Sequence, residues 1–502
     1  MARIPLEILA YIFELCLVDK GISTPVFVPV QGPFCLAQVC KLWKAIAESD
    51  PHLWTSIHFY FPDGRQSREK DVARVKPMFD LHLKRSGALP ISLTFTDNRF
   101  YHAATEDLIC LLVDRLREHS RRWKSISLQM SCGYFPLLFT FMPCDLSSLE
   151  HLYINGDVLG QRIVTTLCLS LESAKHLKSF AYSGPGHSLN DKIDLHWDRL
   201  GEVSFEFAPH NGMSSTLSRQ FKRLAQCQNI TTCSLGIDRP FWLDLDRDQT
   251  ITLPCLRTLR VRRLSSYSHA RTVIDPLILP QLQTLEIDAA ILVGWDGLTS
   301  PWHDRNFSNL LVRSGCTLRH LSIQDVDFPN DELVRCLALS RTLTSFRFIP
   351  CPRSQDIVDV IRKLDISEPV VPVGDQTPRR TQLHDATGSG QKYVGDGPLV
   401  PGLREITLAS SVERYLDLMM AMCRSRVGAR AAEVAALRHV EMVFFDMSHG
   451  MDEARTSSVP RDRLGSFRRE LARWVSENED EERLEASVVV DSPYFAEYID
   501  VV

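Results

Sequence analysis

The sequence predicts a mixed α/β protein: a short all-helical module at the N-terminus, then a solenoid of repeated strand-and-helix units with a parallel sheet. Three observations predict it. Apolar residues near the N-terminus recur at helical spacing. A short apolar phrase returns at least ten times along the body. Helical stretches separate several of its copies.

The N-terminal helices come first. Pro5 suits the opening turn of a helix, where its missing N–H costs nothing. Leu6, Leu9, Ile12 and Phe13 then recur at helical spacing, with Ile8 beside them. A second stripe runs through Leu36, Val39, Cys40, Trp43, Ile46 and Ala47, with Lys41, Lys44 and Glu48 between, and Asp50-Pro51 stops it. Between the stripes, residues 18–34 carry Gly21, Pro25, Pro29 and Pro33 and read as a loop. Two such helices and a Trp54 tail are too small to bury their own apolar surface. Helix-in-groove docking onto a partner would cover it. The alternative is that they cap the domain behind them.

The arrangement Pro5-Leu6, Glu7-Ile8-Leu9, Val39-Cys40, Trp43 and Pro51-x-Leu53-Trp54 resembles the F-box, over about residues 3–57. The F-box is the module by which substrate receptors dock onto the Skp-type adaptor of a cullin-RING ubiquitin ligase. The 18–34 insert departs from a compact F-box and is similar to inserts of F-box proteins from mushroom-forming fungi. The resemblance implies an adaptor contact through Pro5, Leu6, Ile8, Leu9, Ile12, Phe13, Val39, Cys40, Trp43, Ile46 and Trp54. It also implies a non-catalytic subunit without cofactor, bound through the adaptor to a cullin, in the cytoplasm, the nucleus or both.

The phrase of the body is an apolar residue, two variable ones, an apolar residue, one variable, an apolar residue. It appears as Leu149-Leu152-Ile154, Leu177-Phe180-Tyr182, Leu200-Val203-Phe205, Ile230-Cys233-Leu235 and Leu256-Leu259-Val261. It continues as Leu282-Leu285-Ile287, Leu318-Leu321-Ile323, Leu343-Phe346-Phe348, Leu403-Ile406-Leu408 and Leu437-Val440-Met442, and Trp123-Ile126-Leu128 is its expected start. The steps suit leucine-rich repeats, each a strand plus a return helix. The tail of each phrase alternates, as a strand does. Helical stretches are expected at Asp107 to His119, Ser218 to Ala225, Asp331 to Leu339 and Glu413 to Met422. The repeats resemble degenerate leucine-rich repeats. Asp157, Ala290 or Val326 stands where the usual turn Asn would be, so the turns need another stabiliser. A non-repetitive α/β fold with Leu-rich strands stays open beside this reading.

The expected division is an F-box over 1–57, a linker and solenoid cap over 58–120, repeats over 121–450 and a C-terminal cap over 451–502. Pro62 to Lys76 is polar and reads as linker or loop. Ser367 to Pro401 is rich in Gly, Pro, Thr, Asp and Gln and reads as a disordered insert. Near the end, Leu464, Phe467, Leu471 and Trp474 form a helical stripe, the acidic run Glu477 to Glu482 follows, and Val488 to Val490 suggests a last strand. Residues between the apolar positions of a strand face outward. Tyr153, Arg260, Glu286, Ser322, Arg347 and Thr407 are therefore the candidate face for an unknown target protein.

Composition limits the alternatives. A net charge of −5 and a pI near 6.4 give no electrostatic case for nucleic acid or an anionic membrane. No apolar run reaches bilayer length, and Glu7 and Glu14 interrupt any signal-peptide core. The 14 cysteines are scattered singly and read as reduced, mostly buried thiols. Asp244, Asp246 and Asp248 have the spacing that opens a calcium loop, but Gln249 stands where Gly is needed and Cys255 where Glu is needed. Thr387 to Lys392 lacks the ending of a phosphate loop, and no histidine pair has metal-ligand spacing. The leading reading is a substrate receptor. A binding scaffold outside any ligase, and a hydrolase assembled across repeats, stand behind it.

Overall fold

The computed structural model describes residues 4–18, 32–60, 68–96, 114–130, 145–156, 167–185, 189–208, 222–237, 250–262, 274–288, 306–326, 329–350, 358–365, 400–410, 415–427, 437–445, 485–492 and 495–497, together with Arg469 and Arg473. The chain divides into two compact units, Met1–Leu256 and Arg257–Val502.

The first unit opens with three helices, α1 (Leu6–Val18), α2 (Pro33–Val39) and α3 (Lys41–Ser49). The second apolar stripe was expected to form one helix, and the structure makes it two. Cys40 takes an extended backbone, φ −158° and ψ 170°, and its Sγ accepts the Trp43 N–H at 3.5 Å to cap α3. Helix α4 (Arg68–Arg85) follows strand β1 (Ser56–Tyr60). Most of the polar stretch read as a linker is thus helix. The helical signal came later than that stretch, at Phe79 and Leu83, which are buried.

A parallel sheet completes this unit. Its strands are β1, β2 (Ile91–Thr96), β3 (Trp123–Gln129), β4 (His151–Asn155), β5 (Ser179–Pro185), β6 (Glu202–Ala208) and β7 (Thr232–Ile237), hydrogen-bonded in chain order. The sheet begins two strands earlier than the sequence suggested. Trp54-Ile57-Phe59 is itself a copy of the phrase, hidden in the sequence because Trp54 also belongs to the helical module.

In the second unit, seven parallel strands follow in chain order: β8 (Thr258–Arg262), β9 (Thr284–Asp288), β10 (His320–Val326), β11 (Ser345–Pro350), β12 (Glu405–Ser410), β13 (His439–Phe445) and β14 (Glu485–Ser492). A last strand, β15 (Phe495–Glu497), pairs antiparallel with β14. Strand β14 contains the expected Val488 to Val490. The helices are α5 (Asn306–Ser314), α6 (Asn330–Leu339), α7 (Val358–Leu364) and α8 (Tyr415–Val427). Helices α6 and α8 fall where helical stretches were expected. The 367–401 insert up to residue 399, the Leu464–Trp474 stripe apart from Arg469 and Arg473, and the Asp244–Asp248 turn lie outside the described residues.

Register explains the phrase. Leu152, Phe180, Val203 and Cys233 pair across β4 to β7, and Ile154, Tyr182, Phe205 and Leu235 form the next buried row. In the second unit Leu259, Leu285, Leu321, Phe346, Ile406 and Val440 do the same. Each fully buried apolar side chain of this size stabilises by about 2 kcal/mol before entropy is charged.

The turns before the strands are tied by backbone. In six phrases the first residue donates its N–H three residues back: Leu149 to Leu146, Leu177 to Ala174, Leu200 to Trp197, Leu282 to Leu279, Leu343 to Ser340 and Leu403 to Val400, at 3.0–3.4 Å. The acceptor residues are buried, so these six repeats carry a fourth inward position ahead of the phrase. A single carbonyl of the preceding repeat then receives two N–H groups of the next strand. Lys178 and Ser179 share the Glu150 carbonyl, Gln283 and Thr284 share that of Arg257, and Arg404 and Glu405 share that of Thr344.

Side chains satisfy what remains. Arg122 Nε donates to the Leu89 carbonyl at 2.8 Å, and Arg313 Nε to the Leu277 carbonyl at 2.7 Å. Ser173 and Ser314 hydroxyls accept the Leu146 and Leu279 N–H groups. At the N-terminus of α5 the buried Glu332 accepts both the N–H and the hydroxyl of Ser308, at 2.8 and 2.9 Å. Arg426 is fully buried. It donates through Nε to the Leu364 carbonyl at 2.7 Å and through Nη1 to the Val400 carbonyl at 3.2 Å. Val400 is a β-branched residue at φ 49°, a conformation it holds only under external restraint. Replacing Arg426 with Met keeps the volume, takes the donor from the buried Leu364 carbonyl and leaves the Val400 carbonyl with the Leu403 N–H alone. The expected cost is about 2 kcal/mol, read as roughly thirtyfold faster hydrogen exchange in α7 and β12.

Candidate functional site

Two surfaces qualify, the outer side of the helical module and the outward rows of the two sheets.

The module has its own core of Phe13, Leu36, Ile46, Ala47, Leu53 and Trp54, with Leu9, Phe34, Trp43 and Leu81 packed against it. Trp54 closes it. Its Nε1 donates to the Ala47 carbonyl at 2.7 Å, the Phe34 ring meets it edge-on at 5.2 Å, and the Arg85 guanidinium lies 4.5 Å over its face. Arg85 also pairs with Glu48 at 3.0 Å, so α4 grips α3 and Trp54 together. Phe13 packs on Trp43 at 4.7 Å.

Helix α1 is apolar nearly all round, and this core uses only one side of it. Ile4, Leu6, Ile8, Tyr11, Ile12 and Leu15 are exposed, Leu6 at 52% and Tyr11 at 57%. Val39, at 60%, and Leu42 add to the exposed apolar residues. An apolar group this extensive, left outside a filled core, marks an interaction surface. The expected adaptor residues therefore separate into two groups. Pro5, Leu6, Ile8, Ile12, Val39 and Cys40 are exposed. Phe13, Ile46 and Trp54 are buried in the module core, with Leu9 and Trp43 half-buried against it. Tyr11 and Leu42 escaped the sequence reading because they lie off the stripe that fills the core.

The outward rows follow from the register. Arg260, Glu286, Ser322, Arg347 and Thr407 lie side by side on β8 to β12, and Glu441 and Ser487 extend the row. The five candidates in this unit are thus one continuous row. Its charges are already matched: Arg260 Nε meets Glu286 Oε2 at 2.8 Å, and Arg347 Nη1 meets Glu441 Oε2 at 2.7 Å. Thr407 Oγ1 donates to the same Glu441 oxygen at 3.0 Å. Glu441 was missed because its role depends on a strand pairing that spacing alone does not show. Tyr153, the sixth candidate, belongs to the first unit, between Ser127 and Ala181 on neighbouring strands.

The buried thiols are chemically quiet. Burial pushes Cys227 up to about 12 and Cys423 up to about 12, so both stay protonated at neutral pH. Among the described residues no group of His, Cys, Asp and Glu could hold a metal ion, and no helix is long and apolar enough to cross a membrane.

Residues 1–60 match the family model described as F-box-like. The chain therefore joins a helical F-box-like region to a large parallel α/β sheet arrangement compatible with repeats. A comparison with curated proteins finds no match.

One group in the module core titrates abnormally. His82 of α4 sits against the Trp54 ring at 4.9 Å and the Phe34 ring at 5.6 Å, and neither ring nitrogen makes a hydrogen bond among the described residues. Burial pushes it down to about 4, the Trp54 backbone opposes this in part, and His58 and Arg85 add smaller downward pushes. Unfolded, it returns to its ordinary 6.5. Between those values the unfolded chain binds the extra proton, so the contribution is complete above pH 6.5, shrinks as pH falls and is lost through about pH 4. The loss is on the order of 3 kcal/mol. Urea unfolding across that window should show this slope in the native chain, and His82→Phe should flatten it.

Proposed function

We propose that the protein is the substrate-recognition subunit of an SCF-type cullin-RING ubiquitin ligase. The helical module holds a Skp-type adaptor and, through it, a cullin, while the outward sheet rows hold a target protein. The carrying observation is that the residues matching the F-box-like model leave eight large apolar side chains exposed, six of them between Ile4 and Leu15, beside an already filled core. The adaptor contacts are Pro5, Leu6, Ile8, Ile12, Val39 and Cys40. Phe13, Ile46 and Trp54 act indirectly, by holding those side chains in place, and Leu9 and Trp43 border the contact. Catalysis on this reading is proximity: tethering raises the local concentration of target near another enzyme's ubiquitin thioester. No cofactor is needed, and the expected setting is the cytoplasm, the nucleus or both.

The test is co-purification with a Skp-type adaptor. Pro5→Ala with Leu6→Ala should weaken adaptor binding at least about tenfold, since two exposed apolar anchors are worth a few kcal/mol between them. Unfolding of the sheets should be unchanged, because neither side chain enters a core. Full adaptor binding in that double variant would refute the assignment.

Reversing Arg260 and Arg347 to Glu would place a carboxylate against Glu286 or Glu441 and strain the sheet itself. Arg260→Gln with Arg347→Gln is the cleaner pair. It should cost at most about 1 kcal/mol per site in stability, because both pairs are partly exposed.

A further inference from the structure

We infer that the edge of the second unit where its strands begin, at Arg257, Arg319 and Arg404, takes an acidic, carboxylate-rich segment of a target protein. The inference rests on the receptor reading above and narrows the target contact to one row and one chemistry.

The residues just before the strands form a row of their own. Gln283 donates its backbone N–H to the Arg257 carbonyl, Arg319 to Gln283, Thr344 to Arg319, Arg404 to Thr344 and Arg438 to Arg404, at 2.7–2.9 Å. That ladder holds the row at strand spacing, about 4.8 Å. All four arginines are exposed. Arg257, Arg319 and Arg404 make no side-chain hydrogen bond or ion pair among the described residues.

The turns do not require this charge. The first unit builds the same ladder from Lys124, Glu150, Lys178, Gly201 and Thr231, and there Glu150 lies between the lysines and pairs with Lys178 at 3.0 Å. The row of the second unit contains no acid. Among the described residues of the turns leading into β8 to β13 the single acid is Asp275, whose charge acts on Arg313. Arg341, exposed in the turn before β11, adds to the positive edge. The neighbouring row has Glu405 and, at its far end on β14, Glu485 as its acidic members. Beyond it the charges are matched: Arg260 with Glu286, Arg347 with Glu441, and Arg262 beside Asp288. The edge therefore keeps a positive surplus in a chain whose net charge is −5.

Spacing selects among anions. Arg257, Arg319 and Arg404 follow one another two strands apart, about 10 Å, a step that an extended chain covers in about three residues. They do not converge on one point, as guanidinium groups gripping a phosphate do. Separate carboxylates along one segment match the row. Nucleic acid brings continuous charge, which Glu405, Glu485 and the net charge of the chain oppose. The chain's own acidic run, Glu477 to Glu482, leads into β14, six strands and about 29 Å from Arg257, so it reaches only the near half of the row.

The probe is a fluorescent peptide of alternating Glu and Ser, titrated into the purified full chain at low salt and followed by anisotropy. It should bind, weaken as salt rises, and outbind its Gln-Ser counterpart at least about tenfold. Arg257→Gln, Arg319→Gln and Arg404→Gln together should reduce binding about tenfold, since each exposed pair is worth up to about fivefold. Arg121→Gln, Lys222→Gln and Arg335→Gln remove the same charge outside this edge and outside the outward rows, and should leave binding intact. Should the edge triple lose its thermal transition, Arg257→Gln and Arg319→Gln decide singly. The inference is overturned if the two peptides bind alike, if the edge triple retains binding, or if the control triple loses as much. It is equally overturned if inorganic phosphate competes beyond its ionic strength, or if a single-stranded oligonucleotide of similar length binds more tightly. Binding that emerges only after the acids of the run Glu477 to Glu482 become Gln assigns the edge to the chain itself and overturns it too. Adaptor co-purification on the same preparations reads the receptor assignment separately. A native chain that binds the peptide and holds no adaptor sinks that assignment and leaves the edge site standing, and one that holds the adaptor without the peptide sinks this inference alone.

Discussion

Parallel strands joined in one direction leave unpaired backbone at the start of every strand, and both sheets depend on how those groups are satisfied. Here the backbone does most of it. A carbonyl of one repeat takes two N–H groups of the next, so the turn needs no particular side chain at that point. In several repeats a buried residue three positions before the phrase, such as Leu146, Trp197 or Leu279, pins the bend from inside, while at the Leu318 phrase that position is the exposed Gly315. Arginines from the flanking segments, Arg122, Arg313 and Arg426, supply donors to carbonyls that would otherwise be orphaned. A missing Asn is therefore compatible with a regular sheet.

Trp54 ties that sheet to the helices. It opens the first copy of the phrase and also closes the helical core, through the Ala47 carbonyl, Phe34 and Arg85. The same residue thus belongs to two packing schemes, and helix α4 holds both. Once Trp54 is buried, the inner side of α1 has its partners and the outer side has none. The exposed apolar set is a consequence of geometry: a helix apolar on every side cannot be covered by a core that touches it on one.

Much of this was legible in the sequence, for physical reasons that can be named. The phrase repeats were readable because strand alternation and buried Leu spacing are local signals, and register brought five outward candidates into one row. Trp54-Ile57-Phe59 went unseen as a strand because a tryptophan in a helical motif was assigned to one role only. Helix α4 was hidden by a polar first half. The break at Cys40 was invisible because a stripe keeps its period across a single extended residue. Glu441 and the two ion pairs depend on which strands are neighbours, which no spacing rule supplies. Burial of Phe13, Ile46 and Trp54 follows from a third helix and from α4, neither of which the stripes announced.

The two outward faces differ in how tightly they are bound to folding. In the second unit, Arg347, Thr407 and Glu441 reach across three strands, so changing Glu441 takes the shared acceptor from both other side chains. In the first unit much of the outward row consists of short hydroxyl side chains, with no ion pair linking its members. Substitutions there can accumulate one at a time without passing through an unfolded intermediate sequence. The first row can therefore change position by position, while a change at Glu441 calls for matched changes at Arg347 and Thr407, so the second row varies in concert.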